Sequence, residues 1–190
     1  MIWQIDLAWL AGQMGLLPCR TICECAVGPM EISVAPGFKE KCEKMILVEP
    51  NPTLAMKAEA KIGMPITQVA IGFELGKQIL IENNGSSYLE GTWSPTPRYQ
   101  DIKKHSVPVI TFDMIDDGKI DVLALDCEGM EWAVLSKMTS KPKLLTIEIW
   151  DGNPHKEKIY NWLEKNGYTM RFSTGPTTET QLYTWDGKED

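Results

Sequence analysis

The sequence predicts an α/β fold: a mostly parallel sheet with helices on both faces, finished by an antiparallel hairpin. Three observations predict it. Runs such as Val122-Leu-Ala-Leu125 and Leu144 to Trp150 are apolar without the alternation of a half-exposed strand, so they read as strands covered on both sides. Between such runs lie stretches with apolar residues at helical spacing, for example Met130, Ala133, Val134 and Met138. The last two strand-like stretches, Tyr168 to Ser173 and Thr180 to Trp185, alternate around the turn Thr174-Gly-Pro-Thr177, the pattern of a hairpin.

The length of 190 residues suits one domain, residues 1–190, with a real core. No apolar run approaches the ~20 residues that a membrane helix needs. The start, Met-Ile-Trp-Gln-Ile-Asp6, lacks the basic patch and cleavage site of a secretory signal, so the expectation is a cytoplasmic protein without a membrane partner. A net charge of −7 argues against a grip on nucleic-acid phosphates and favours a neutral or cationic small ligand. Five cysteines, an odd number without CxxC spacing, indicate neither a disulfide framework nor a zinc site and read as buried thiols. The sequence leaves the choice between monomer and homo-oligomer open.

Taken in order, Ile2 to Leu16 carries Ile5, Leu7, Ala8, Leu10, Ala11 and Met14, an N-terminal helix (1–16) stopped near Gly15. Thr21 to Val27 is a compact apolar strand around Glu24, ended by Gly28-Pro29, with a short helical stretch from Glu31 to Phe38. Lys44-Met-Ile-Leu-Val-Glu49 is a buried-type strand ending in an acid. Pro50-Asn-Pro52 then leads to a helix from about Thr53 to Ile62, and Ile66 to Ile71 is a third strand. Lys77 to Asn83 and Val107 to Phe112 are further strands. They flank a polar segment, residues 84–106, that holds Ser86, Ser87, Tyr88 and Trp93; a loop of this length reads as a lid over a substrate or as a passive excursion. After the fourth parallel strand come the helix from Met130 to Met138, the strand Leu144 to Trp150, and a helix from His155 to Lys165 ended by Asn166-Gly167.

Two acidic strand ends carry the functional signal. Asp126 and Glu128 follow Val122-Leu-Ala-Leu125, with Gly129 turning the chain into the next helix, and ligands of open α/β sheets bind outside the carboxyl ends of the strands. Alone, the stretch reads equally as a capped helix start, with Asp126 as the cap. The second signal is Glu49, about 20 residues past the first turn, the distance at which a doubly wound nucleotide site places a ribose-binding carboxylate. The three-glycine dinucleotide fingerprint is absent, which counts against an NAD-dependent enzyme.

These motifs in this order resemble the FkbM-type class I methyltransferases, which use S-adenosylmethionine. The likeness rests on Glu24-Cys-Ala-Val-Gly28-Pro, Val48-Glu-Pro-Asn-Pro52, Ser86-Ser87, Thr111-Phe-Asp113, Ile120 to Glu131 and Ile147-Glu148-Ile149. It implies a Rossmann-like, seven-stranded sheet ending in the hairpin. It also implies a cofactor site in which Glu24 faces the amino-acid part, Glu49 the ribose, and Ala70 and Ile71 flank the adenine. Ala26, Gly28, Pro50 and Asp126 complete the cofactor-binding set that the resemblance implies. The family usually has glycine where Ala26 stands, another near Met30, and often lysine in place of Ala124.

The chemistry implied is methyl transfer to a hydroxyl oxygen of a small molecule or sugar, for which the protein aligns the acceptor and removes its proton. Candidate bases are Asp126, then Glu128, then His155. The same acids could instead hold a divalent cation such as magnesium through oxygen ligands, and the spacing does not decide between the two. A non-catalytic module with a decayed cofactor site is the other reading, since Ala26 makes the first turn bulkier than the family pattern.

Overall fold

The computed structural model describes residues 6–28, 33–83, 86–92, 102–175 and 178–187. Its elements in chain order are α1 (Leu7–Gln13), β1 (Cys19–Cys25), α2 (Ala35–Phe38), β2 (Cys42–Val48), α3 (Pro52–Ile62), β3 (Ala70–Ile71), β4 (Gly76–Asn83) and β5 (Ser86–Leu89). There follow β6 (Lys103–Ile110), a 3₁₀ turn (Phe112–Met114), β7 (Val122–Leu125), α4 (Glu131–Leu135), β8 (Leu144–Trp150), α5 (Lys156–Lys165), β9 (Tyr168–Ser173) and β10 (Thr178–Trp185).

The main sheet has the order β2-β1-β7-β8-β10-β9. The first four strands are parallel, and β10 is antiparallel to both β8 and β9. Both faces are covered, as the unbroken apolar runs required. Ile22, Val122 and Leu144 pack with Leu7, Ala8 and Ala11 of α1 and with Phe38. The adjoining residues Cys23, Leu123 and Leu145 point the other way, into a cluster with Val134 and Leu135 of α4 and Ile159 and Leu163 of α5. One residue of offset thus sends each side chain to the opposite layer.

The sheet departs from the expected seven strands. The third strand, expected over Ile66 to Ile71, joins the main sheet only through a parallel bridge of Thr67 to Val48, where Thr67 N donates to Leu47 O at 2.8 Å and Glu49 N to Thr67 O at 3.2 Å. Beyond that bridge the chain peels away, and Ala70 and Ile71 form β3 of a second sheet ordered β3-β6-β4-β5. Part of the polar segment 84–106 is strand too: β5 pairs antiparallel with β4 over 86–89, and β6 begins at Lys103. Pairing along Gly76 to Asn83 recruits it, a long-range cause that local polarity conceals. Trp93 lies outside the described residues.

Several ends are shorter than the periodicity implied. α1 starts at Leu7 because the Asp6 side chain caps it, accepting from Trp9 N at 2.8 Å. Of the expected helix from Glu31 to Phe38, α2 covers Ala35–Phe38, and residues 29–32 lie outside the described set. α4 ends at Leu135 rather than Met138. Among the described residues, no helix is long and apolar enough to cross a membrane.

Candidate active site

The carboxyl ends of β1, β2 and β7 face the second sheet across a crevice. Two of the three turns leaving them hold a non-glycine residue at positive φ, Ala26 at 63° and Glu128 at 48°. A left-handed residue with a Cβ is strained and persists only where its surroundings enforce it. Ala26 therefore holds a backbone conformation that glycine would adopt without strain, and its methyl lines the cavity.

The turn after β1 is closed on itself. Ala26 N and Val27 N both donate to Val48 O, at 2.8 and 3.1 Å. Gly28 N donates to Glu49 Oε2 and Asn51 N to Glu49 Oε1, each at 2.8 Å, so Glu49 ties the first turn to the second. Asn51 caps α3 by accepting from Thr53 N at 2.9 Å and reaches across to Ser87 Oγ at 3.0 Å, which joins the two sheets. Glu24 turns toward α2, accepting from Ser33 Oγ, Val34 N and Ala35 N, all at 2.9 Å. Burial pushes its carboxyl up to about 7, and burial raises Glu49 as well.

Between these turns and the second sheet lies a narrow cavity of about 30 Å³, lined by Ala26, Pro50, Ala70, Ile71, Ser87 and Met130 among others. Four of the sequence-derived cofactor residues, drawn from three separate turns, thus share one wall. Glu24, Gly28 and Glu49 stand behind that wall, holding the loops that form it. The apolar lining suits the flat apolar part of a small organic ligand.

The turn after β7 is built differently. Glu131, 1% exposed, draws the turn around its own carboxyl: Oε1 accepts from Cys127 N at 3.0 Å and Gly129 N at 3.1 Å, and Oε2 from Asn153 Nδ2 at 3.2 Å. Glu131 thus holds the turn, and α4 begins at Met130 without a side-chain cap, so the cap role offered for Asp126 is not seen. Asp126 and Glu148 leave adjacent strands side by side; burial raises the proton affinity of Asp126, and burial followed by the charge of Asp126 raises that of Glu148. Glu128 is pushed up to about 7, by burial first and by Asp126 second; Ser86 donates to it, and its Oε2 is buried without a partner. Glu24, Glu49, Glu128, Glu131 and Glu148 all feel the charge of Asp126.

His155, the third candidate base, sits apart from this cluster. It precedes α5, its ring meets Phe73 edge-on at 5.7 Å, its Nδ1 is buried without a partner, and burial lowers its proton affinity. Among the described residues, no group of three His, Cys, Asp or Glu side chains converges to hold a metal ion. Glu148 is the residue whose role sequence reasoning missed. Its signal was present, an acid in a buried strand expected to lie beside the one that ends in Asp126.

The family model for the methyltransferase FkbM domain matches residues 26–170. The chain belongs to the FkbM methyltransferase family. No curated protein matches its sequence. In three dimensions it resembles methyltransferase FkbM from Methylobacillus flagellatus KT, with a TM-score of 0.60 at 16% identity, over 96% of this chain and 48% of that one. It also resembles a ribosomal protein L11 methylase from Lactobacillus delbrueckii subsp. bulgaricus, with a TM-score of 0.54 at 10% identity, over 94% of this chain and 76% of that one. At these identities the likeness is one of fold, the Rossmann-like class I methyltransferase fold. This FkbM domain spans about half the length of the Methylobacillus protein.

Proposed function

We propose that this FkbM domain binds S-adenosylmethionine in the cavity beside the β1 and β2 turns and methylates a hydroxyl oxygen of a small molecule, with Asp126 as the base. The observation that carries this reading is the convergence of Ala26, Pro50, Ala70 and Ile71 on one cavity bordered by Cys127, the neighbour of Asp126 in the chain. The residues present fit such a ligand. An apolar slot between Pro50, Ala70 and Ile71 suits a flat purine. Each Glu49 oxygen has one lone pair engaged and another to offer a ribose hydroxyl. The acidic cluster around Asp126 favours a cation at its edge.

Bound there, the sulfonium supplies an activated methyl group. The protein's part is to hold the acceptor oxygen in line and receive its proton. Asp126 suits that task because it ends β7 beside the cavity and because burial raises its affinity for a proton above that of a free carboxylate. Ser87 and Tyr88 line the same cavity, which supports an acceptor position between β5 and the β7 turn. The left-handed backbone at Ala26 favours a live site over a decayed one.

Titration calorimetry with S-adenosylmethionine and its demethylated product tests binding. A mass-spectrometric screen with label in the transferable methyl tests transfer. Binding of both ligands and a labelled ether product are expected. Absence of binding supports the decayed-site reading, and loss of turnover on chelation alone assigns the acids to a metal.

A further inference from the structure

Glu148 deepens the function proposed above and rests on it. β7 and β8 are parallel neighbours with Leu125 opposite Ile147, so Asp126 and Glu148 leave the sheet side by side. Two carboxyls placed side by side at the ends of paired strands repel when both are ionised, and a single proton held between them relieves that repulsion. Trp150 Nε1 donates to Glu148 Oε2 at 3.1 Å and fixes its orientation.

The titratable groups acting on this pair are acidic on every side. Glu128 faces it from the β7 turn, Glu131 from α4, Glu24 from β1 and Glu49 from the end of β2, and the Cys127 thiol adjoins Asp126. Doubly ionised, the pair would add a second charge to an already anionic cluster. A cation in the adjoining cavity removes that objection.

We infer that Asp126 and Glu148 form a carboxyl pair that holds one proton in the free protein and releases it when a sulfonium ligand enters the cavity. The pair then faces the acceptor as two carboxylates. As the O–CH₃ bond forms and the S–CH₃ bond breaks, the acceptor's hydroxyl proton passes to Asp126, and the pair regains its single proton as the ligand loses its charge. The site thereby keeps a constant net charge through the reaction. It binds the sulfonium donor better than the neutral thioether product, increasingly so as pH rises.

The free protein tests the proton count without any ligand. Carbon-13 NMR of side-chain carboxyls is expected to show one protonated member of the pair at neutral pH. That signal disappears in the double variant Asp126→Asn/Glu148→Gln, which keeps both side-chain shapes. Two ionised carboxylates at neutral pH overturn the inference. Calorimetry in two buffers of different ionisation heat then compares the ligands. S-adenosylmethionine is expected to release protons on binding and S-adenosylhomocysteine to release none, with the affinity ratio rising about tenfold from pH 6 to 8, since one linked proton changes an equilibrium by up to tenfold per pH unit. Equal proton release by both ligands contradicts the linkage. Failure of both to bind overturns the methyl-donor reading instead, and the NMR result still decides the proton count.

Discussion

The turns after β1 and β7 lie on neighbouring strands, and each contains a non-glycine residue at positive φ, but they use their polar groups in opposite ways. Around Ala26 the polar groups are spent on the protein itself: Val48 O takes two amides, Glu49 takes two more, and Glu24 anchors the start of α2. Around Glu128 they are not. Asp126 lies beside Glu148 at the end of the neighbouring strand, and Glu128 keeps a buried oxygen with no partner. Satisfied groups make a wall, and unsatisfied ones hold the potential for chemistry. The contrast is the ground for proposing shape as the role of the first turn and proton transfer as that of the second.

The largest expected effect comes from pH, because several buried acids titrate together. Glu24, Glu128 and Glu131 each sit at about 7 in the fold against 4.5 when unfolded. Between those values the native state binds more protons than the unfolded state, so stability falls as pH rises through that window. Asp116 and Asp121 act in the other direction. Their lowered affinities, due to hydrogen bonds from Ser140 and from Arg20, give stability that is lost only in strong acid. A thermal-melt series is therefore expected to peak near pH 5 and decline toward pH 8; a flat profile over that range would show that the acids are not held as described.

Next is Asp126→Asn. It keeps the shape of the β7 turn and removes its base, so turnover on an identified acceptor should fall about 10²-fold or more. Glu131→Ala should act on stability instead. It strands the amides of Cys127 and Gly129 and the Asn153 side chain in a buried site, a loss of about 2–4 kcal/mol read from the denaturant midpoint. Turnover lost in both variants alike, with no change in stability, would erase the distinction between base and support.

The smallest effect sharpens the comparison most. Ala26→Gly should relieve left-handed strain and raise stability by about 0.5–1 kcal/mol after the added flexibility of the unfolded chain is counted. A loss of stability would mean that the Ala26 methyl, which lines the cavity, packs more than it strains.

Much of this was legible in the sequence for a physical reason. A strand buried on both faces must be apolar throughout, so β1, β7 and β8 announced themselves, and Pro50-Asn-Pro52 marked the start of α3. That Ala26, Pro50, Ala70 and Ile71 belong to one site was implied by the family resemblance, and they line one cavity although Ala70 and Ile71 lie in the second sheet. Three things were not legible. The split into two sheets depends on pairing of β4 with β5 and β6, which local patterning does not encode. Positive φ at Ala26 and Glu128 has no composition signal, since both residue types are ordinary elsewhere. The Asp126–Glu148 pair joins two strand ends separated by a helix, and only the register of β7 on β8 brings them together.

The most direct test of the methyl-donor site is a crystal structure of the protein with S-adenosylhomocysteine, with Glu49→Ala as its solution counterpart. The expected result is an adenine ring against Ala70 and Ile71 with its ribose hydroxyls at Glu49, and an affinity several-fold weaker in the variant, about 1–3 kcal/mol for an unsatisfied pair of hydroxyls. Ligand density elsewhere on the molecule, or unchanged affinity in Glu49→Ala, would contradict it.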